Sequence, residues 1–304
     1  MIDLLRVLGS PDSEVVIAAP GAGEGFWAGG PSAVIGDDGA TWLAYRLRRP
    51  VDQGRGYANV VACAADGTSF DTVATVTRDE FNCASLERPA LVRRPDGGWR
   101  LYVSCSTPGS KHWWVEAVDA DEPDGLSGGT RTVVLPGDER EAWKDVIVRP
   151  NGGRWEMWAC RHPLEDGDDA ADRMSTWYAT SEDGLAWTLA AEALRPTADT
   201  WFARGTRITD VVAADGRWWA LFDGRRSAEE NWRERSGLAV GDRPDRFSVV
   251  EGPIPKHAGT TLRYASVVPV NGGYRLYFEA SNADGSHDLR TVYAPRPSSV
   301  SQSK

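Results

Sequence analysis

The sequence is poor in the features that announce most classes of function. Its 304 residues contain no apolar stretch long enough to span a membrane. Its start, Met1-Ile2-Asp3-Leu4-Leu5-Arg6, lacks the basic segment and long apolar run of a secretory signal. Only four cysteines are present, Cys63, Cys83, Cys105 and Cys160, and their spacing fits no metal site. Buried, reduced thiols in a cytoplasmic protein are the expectation. Positive charge is in deficit, with a net charge of −10, which argues against a nucleic-acid partner. There is no Gly-rich phosphate cradle, nucleotide motif or nucleophile elbow. The acidic run Glu165-Asp166-Gly167-Asp168-Asp169 offers no calcium-loop spacing and reads as a solvated loop. No cofactor and no metal site are expected.

What the chain does contain is a repeated phrase. Its fullest copy runs from Glu87 to Ser104: the apolar run Ala90-Leu91-Val92, the turn Asp96-Gly97-Gly98, then Trp99-Arg100-Leu101-Tyr102-Val103. Aromatic and β-branched residues around a glycine turn predict a hairpin. Four more copies pivot on Asp38-Gly39, Asn151-Gly152-Gly153, Asp215-Gly216 and Asn271-Gly272-Gly273. They recur roughly every 55–65 residues, the range of propellers and solenoids. After each of the first four hairpins come two more strand-like runs. The fifth is followed by one, ending at Tyr293 before Pro295 and Pro297. The missing strand is Glu14-Val15-Val16-Ile17, just ahead of the first hairpin. This arithmetic predicts an all-β five-bladed β-propeller with four antiparallel strands per blade, the N-terminal strand closing the last blade. Closure also removes exposed sheet edges. Residues 1–297 form one domain and 298–304 a flexible tail. A hydrophobic content of 41% is enough to supply the core.

The predicted geometry sorts residues onto faces. Loops leading into each first strand, and loops between second and third strands, share the face that surrounds the central funnel. All four histidines, His112, His162, His257 and His287, fall in or beside these loops. So do Trp27, Trp113, Trp143, Trp201 and Trp232, whose rings suit stacking on the apolar face of a sugar. The other copies of tryptophan at the repeat position, Trp42, Trp99, Trp155, Trp218 and Trp219, belong to the core. Function lives on loops held by a rigid scaffold, which picks the funnel face.

The chain resembles the five-bladed propeller glycosidase superfamily of arabinanases, β-xylosidases, invertases and levansucrases. The resemblance spans roughly residues 14–294. It rests on the repeated hairpin, on Ser181-x-Asp183-Gly184-x-x-Trp187, and on Glu87-Arg88-Pro89, which is similar to the Glu-x-Pro carrying the general acid in the arabinanase and xylosidase branch. It implies hydrolysis of a small glycoside or oligosaccharide by paired carboxylates, one protonating the leaving oxygen and one activating water or attacking. Glu87 is then the general acid, Asp145 a base or pKa-tuning partner, and Asp210 the remaining acid, with Glu24 in reserve. The order departs from the family's, because Gly29-Gly30-Pro31-Ser32 offers no acid on the first blade. A non-catalytic carbohydrate-binding propeller therefore stands as an alternative. Some relatives hold calcium in the central channel, but no ligand loop supports one here.

Aligning the hairpins also places Arg88, Lys144, Arg207 and Arg263 at one strand entrance. Such a basic ring either neutralises the acids or favours an anionic carbohydrate, since arginine's planar fork suits carboxylates and phosphates. A third reading draws on it: phosphorolysis, as in the mannoside phosphorylases of the wider superfamily, which use phosphate in place of water.

Overall fold

The computed structural model describes residues 12–165, 173–254 and 262–295. His257 and the predicted tail lie outside them. Among the described residues there are strands and a few short 3-10 turns, and no α-helix. Strand β1 (Glu14–Ile17) is followed by a first unit of β2 (Trp27–Ile35), β3 (Thr41–Arg48), β4 (Gly56–Ala64) and β5 (Asp71–Thr77). The second unit is β6 (Ala90–Arg93), β7 (Trp99–Ser106), β8 (Trp113–Ala120) and β9 (Thr130–Leu135). The third is β10 (Glu141–Asn151), β11 (Arg154–Pro163), β12 (Ser175–Ser181) and β13 (Thr188–Leu194). The fourth is β14 (Gly205–Ala214), β15 (Arg217–Arg225), β16 (Arg235–Arg243) and β17 (Arg246–Glu251). The last has β18 (Leu262–Val270), β19 (Gly273–Ser281) and β20 (His287–Pro295).

Every unit is an antiparallel meander, and β1 adds antiparallel to β20 as the strand arithmetic requires. A single parallel bridge, Trp27 to His287, joins the first and last units into one continuous sheet. The first strands contact one another in the cyclic order β2, β6, β10, β14, β18 and back to β2.

The core follows the same cycle. Leu86, Leu101 and Val103 pack against Val61 and Val76 between the first two units. Tyr102 and Val115 meet Trp143, Trp155 and Met157 between the second and third. Trp158 and Ile147 meet Phe202 and Phe222 between the third and fourth. Leu221 and Leu238 meet Leu276 and Phe278 between the fourth and last. Tyr277, Val268 and Leu289 meet Leu43, Tyr45 and Val60 between the last and first. Each sheet buries both faces, which is why its central strands read as continuous apolar runs rather than as alternations. Of the repeat-position tryptophans, Trp99 and Trp155 are buried, while Trp42, Trp218 and Trp219 are half-buried against these clusters.

One bulge recurs and matters for the site. In the first, third, fourth and last units the pairing of first and second strands slips by one residue, between Gly29 and Ser32, Lys144 and Ile147, Ile208 and Asp210, and Arg263 and Ser266. A bulge leaves one residue unpaired and turns the strand. Past it, the first strands run along the axis. There Arg88, 2% exposed, spans from strand to strand. Its Nε and Nη2 donate to the carbonyl of Pro31 (3.1 and 2.8 Å), and Nη2 also donates to that of Thr209 (2.9 Å). One guanidinium thus ties three first strands that are far apart in sequence. Arg88→Ala leaves these buried carbonyls without donors. It is expected to cost about 3 kcal/mol or more, read as a lower midpoint in guanidinium unfolding; an unchanged midpoint would contradict the axial role.

Candidate functional site

The register fixes which residues meet at the axis. Counting back from the pairs Ser32–Ala44, Ala90–Tyr102, Ile147–Trp158, Asp210–Leu221 and Ser266–Tyr277 puts Gly29, Glu87, Lys144, Arg207 and Arg263 on one level. Their partners on the second strands form a matching level of Arg46, Ser104, Cys160, Asp223 and Glu279. One residue further along lie Gly30, Arg88, Asp145, Ile208 and Tyr264. Arg88 is therefore not part of the basic ring; Glu87 holds that place. Aligning on the tryptophan after each turn matches charge to charge, but the second hairpin turn is one residue longer than those of the third, fourth and last units, and strand pairing sets the true register.

These levels line a throat of about 150 Å³ on the predicted loop face. Among the described residues its wall carries Arg46, Arg48, Arg55, Lys111, Lys144, Arg207, Arg225 and Arg263 against two carboxylates, Glu87 and Glu234. Trp113, Trp232, His162, Asn231, Ser110 and Tyr264 complete the lining with Met174.

Below the lining, three more carboxylates pair with these cations. Arg46 bonds Glu87 and Glu279, the latter at 3.1 Å. Arg263 bridges Glu279 (2.7 Å) and Glu234 (2.9 Å). Arg207 reaches Asp223 (2.8 Å) and Asp145 (3.3 Å). At the centre of the floor stands Tyr264, whose ring is faced by the guanidinium of Arg207 at 3.9 Å, of Arg263 at 5.2 Å and of Arg46 at 5.6 Å. Its hydroxyl donates to Asp145 (3.3 Å), and its backbone N–H donates to Asp223 (3.0 Å). Tyr264 and Asp145 both sit at positive φ, 54° and 52°, at the bulge. Non-glycine residues held there cost energy and persist only where surroundings enforce them, a pattern that clusters at functional sites.

Electrostatics follow from burial and neighbours. Burial opposes ionisation of Glu87, yet the charges of Arg46, Lys144, Arg48 and Arg55 outweigh it and hold its carboxyl well below the usual range. Glu279, also buried, is held low by Arg263, by the hydrogen bond from His287 and by Arg46. Burial raises the Tyr264 hydroxyl far above its ordinary value against the pull of Arg207, so it remains a donor. Burial depresses His287, against the pull of Glu279. Burial also raises Cys160, to about 12, so this thiol is inert.

The structure brings some predicted residues together and separates others. Glu87, Lys144, Arg207, Arg263, Trp113, Trp232 and His162 line the throat. Trp27 and His287 stand behind it, stacked at 4.5 Å, with Nδ1–H of His287 donating to Glu279 (2.6 Å). Asp145 is 1% exposed and lies beneath Tyr264, outside the lining. Asp210 and Arg88 face the other end of the axis, where half of the residues lining a cavity of about 670 Å³ are Val, Ile or Ala. There Asp210 accepts from Arg149, from the hydroxyl of Ser266 (3.3 Å) and from the backbone N–H of Val267 (2.6 Å). Trp143 packs in the core with Nε1–H on Glu141 (3.2 Å), Trp201 stacks on Phe222 (5.3 Å), and His112 bonds the Thr107 hydroxyl (2.7 Å). None of these three reaches the throat. His257 lies outside the described residues, as does most of the acidic run 165–169. Among the described residues no cluster of three or more His, Cys, Asp or Glu is arranged to hold a metal.

The missing acid of the first unit has a steric cause. A Cβ on Gly29 would lie 1.8 Å from Oε2 of Glu279. The carboxyl of Glu279, reaching over from the last unit, fills the space where a side chain at position 29 would stand. Arg46, Arg48, Arg225, Glu234 and Tyr264 were not singled out from the sequence. Arg46 and Arg48 alternate on one strand end, which puts both on one face; that spacing was the available signal.

The carboxylates here make a pH prediction. An unfolded Glu titrates near about 4.3, and folded Glu279 and Glu87 titrate lower. Their charged forms therefore stabilise the fold fully above that pH, and the contribution is lost as pH falls below it toward the folded values. Glu279→Gln is expected to lower stability at neutral pH and to flatten the decline between about pH 5 and pH 3. Equal slopes for variant and wild type in urea unfolding would refute it.

No known family description matches the chain, and no curated protein matches it. Solved structures do. A GH43_1 enzyme from Xanthomonas citri, in complex with xylotriose, is 13% identical, with 98% of this chain and 93% of that one covered and a TM-score of 0.64. An α-L-arabinofuranosidase from Lactobacillus brevis is 12% identical over 88% and 90%, with a TM-score of 0.66. A structure from the GH130 family of mannoside phosphorylases, described as containing glycoside hydrolases that target β-1,2 mannosidic linkages in Candida mannan, is 14% identical over 92% and 88%, with a TM-score of 0.61. At these identities the likeness is one of fold, and that fold is an all-β arrangement of sheets matching propeller-type enzymes.

Proposed function

We propose that this chain is a five-bladed β-propeller enzyme that breaks the glycosidic bond of a small glycoside in the throat. The observation that carries the reading is that two carboxylates, Glu87 and Glu234, share one small cavity walled by Trp113, Trp232 and Tyr264. Glycosidic cleavage needs two such groups on one bond, and aromatic walls suit a sugar ring. Fold neighbours described as complexed with xylotriose, as an α-L-arabinofuranosidase and as targeting β-1,2 mannosidic linkages support the substrate class. A space of about 150 Å³ suits one sugar unit rather than a long chain. Four free cysteines suit a reducing, cytoplasmic setting.

In this reading Glu87 delivers the proton. It enters the reaction once bound substrate or solvent proton offsets the field of Arg46 and Lys144. Its proton passes to the glycosidic oxygen as the bond from that oxygen to the anomeric carbon breaks. Water adds to the anomeric carbon on the other side and gives its proton to Glu234. Asp145, hydrogen-bonded through Tyr264, orients the phenol at the floor.

One observation favours a second reading, phosphorolysis. Both lining carboxylates are locked by cations, Glu234 by Arg263 and Arg225, which weakens either as a base. Phosphate attacking the anomeric carbon needs no base, only the proton from Glu87, and yields a sugar phosphate and a free alcohol. Aryl glycosides and small oligosaccharides assayed with and without phosphate separate the two. In either case Glu87→Gln should lower turnover by about 10²–10⁴-fold while circular dichroism shows the fold intact. Full activity in that variant would reject the assignment.

A further inference from the structure

The cations of the throat are not equally satisfied. Arg46, Arg207 and Arg263 each hold two carboxylates. Arg48 holds none. It is 2% exposed, and among the described residues it makes no ion pair. Its guanidinium instead lies between two indoles, 4.1 Å from the ring of Trp27 and 4.7 Å from that of Trp232. Burial brings its pKa down to about 9, partly offset by Glu87, so it carries its charge at neutral pH. Lys144 is similar: half-buried, over the Trp113 ring at 4.7 Å, with no ion pair among the described residues. Arg55 meets Glu87 only at 3.9 Å. All three line the same throat.

Desolvating a guanidinium is costly, and two aromatic faces offset part of that cost without supplying a counter-charge. A cation held this way in a protein of net charge −10, next to water-accessible space, is a site prepared for a counter-ion from outside. Carboxylates elsewhere in the throat do not fill that role because Arg46, Arg207, Arg225 and Arg263 already occupy them.

We propose that Arg48, with Lys144 and Arg55, forms an oxyanion subsite that makes the throat specific for glycosides presented with an anionic group. This builds on the reading of the throat as the sugar site. The guanidinium fork fits two oxygens of a carboxylate or phosphate, and Lys144 adds a point charge to the same lining. The oxyanion comes either from the sugar itself, as a uronate or sugar phosphate, or from free phosphate bound beside a neutral sugar.

Calorimetric titration and thermal unfolding test this on the full chain, with glucuronate, glucose 1-phosphate, inorganic phosphate and neutral glucose as probes at low salt. At least one oxyanion is expected to bind and to raise Tm, and glucose alone to bind at least tenfold more weakly. Tighter binding of the sugar-borne anions assigns the subsite to the substrate; tighter binding of phosphate assigns it to the co-substrate. Arg48→Met is expected to have a Tm equal to or above wild type without ligand, since a buried unpaired charge is removed, and to weaken oxyanion binding at least tenfold. A merely structural Arg48 would instead lower Tm and leave oxyanion affinity unchanged, which overturns the proposal. So does the absence of oxyanion binding to wild type. Neither readout requires turnover, so retained activity in Glu87→Gln would end the catalytic reading and leave this result standing.

Discussion

The throat depends on burying more positive than negative charge around one phenol. Each guanidinium loses hydration worth several kcal/mol, and the fold recovers this by sharing Glu87, Glu234 and Glu279 between cations and by giving Arg207 two carboxylates of its own, Asp145 and Asp223. Glu279 accepts from Arg46, Arg263 and His287, and Glu234 from Arg263 and Arg225. Tyr264 adds its ring to three guanidiniums at once. Arginine suits such a network because its fork reaches two partners and its charge survives burial. The apolar clusters between units keep these side chains in place, since none of the strands that carry them is free to move alone.

The same field bears on the proposed chemistry. The cations that stabilise the Glu87 carboxylate oppose its protonation, whereas the proposed bond cleavage asks it to act as an acid. In that proposal an oxyanion bound beside Lys144 and Arg48 adds opposite charge near Glu87 and weakens the pull on its ionised form. The two proposals are thereby coupled through space, with no moving part, since a neutral sugar alone brings no such compensation.

The fold was legible because hairpin chemistry is local. Asp96-Gly97 and its four counterparts mark turns without any knowledge of the partner sheet, and Glu14–Ile17 was the one strand left to complete the last unit. The site was legible only in part, because the hairpin turns differ in length: Trp99 lies six residues beyond its partner Arg93, whereas Trp155, Trp218 and Tyr274 lie five beyond theirs. That extra residue moves Arg88 out of the ring and puts Glu87 into it. Asp210 stands three residues further along its strand than Arg207, which sends the aspartate to the opposite end of the axis. Arg48 and Glu234 escaped notice for a different reason. Charged residues at strand ends look like solvated surface until strand twist turns them inward.

Gly29 stands at the place where the resemblance to the arabinanase and xylosidase branch implies a base aspartate. Here no side chain fits at that position, because the Glu279 carboxyl already stands 1.8 Å from where a Cβ would be. Restoring an aspartate at position 29 would set two carboxylates against each other and take Glu279 from Arg46, Arg263 and His287. The carboxyl at that place is a counter-ion locked by three partners rather than a group free to accept a proton. In the proposed hydrolysis, water activation then falls to Glu234, itself held by two arginines. In the proposed phosphorolysis no base is needed, and that course fits a throat in which, among the described residues, cations outnumber carboxylates.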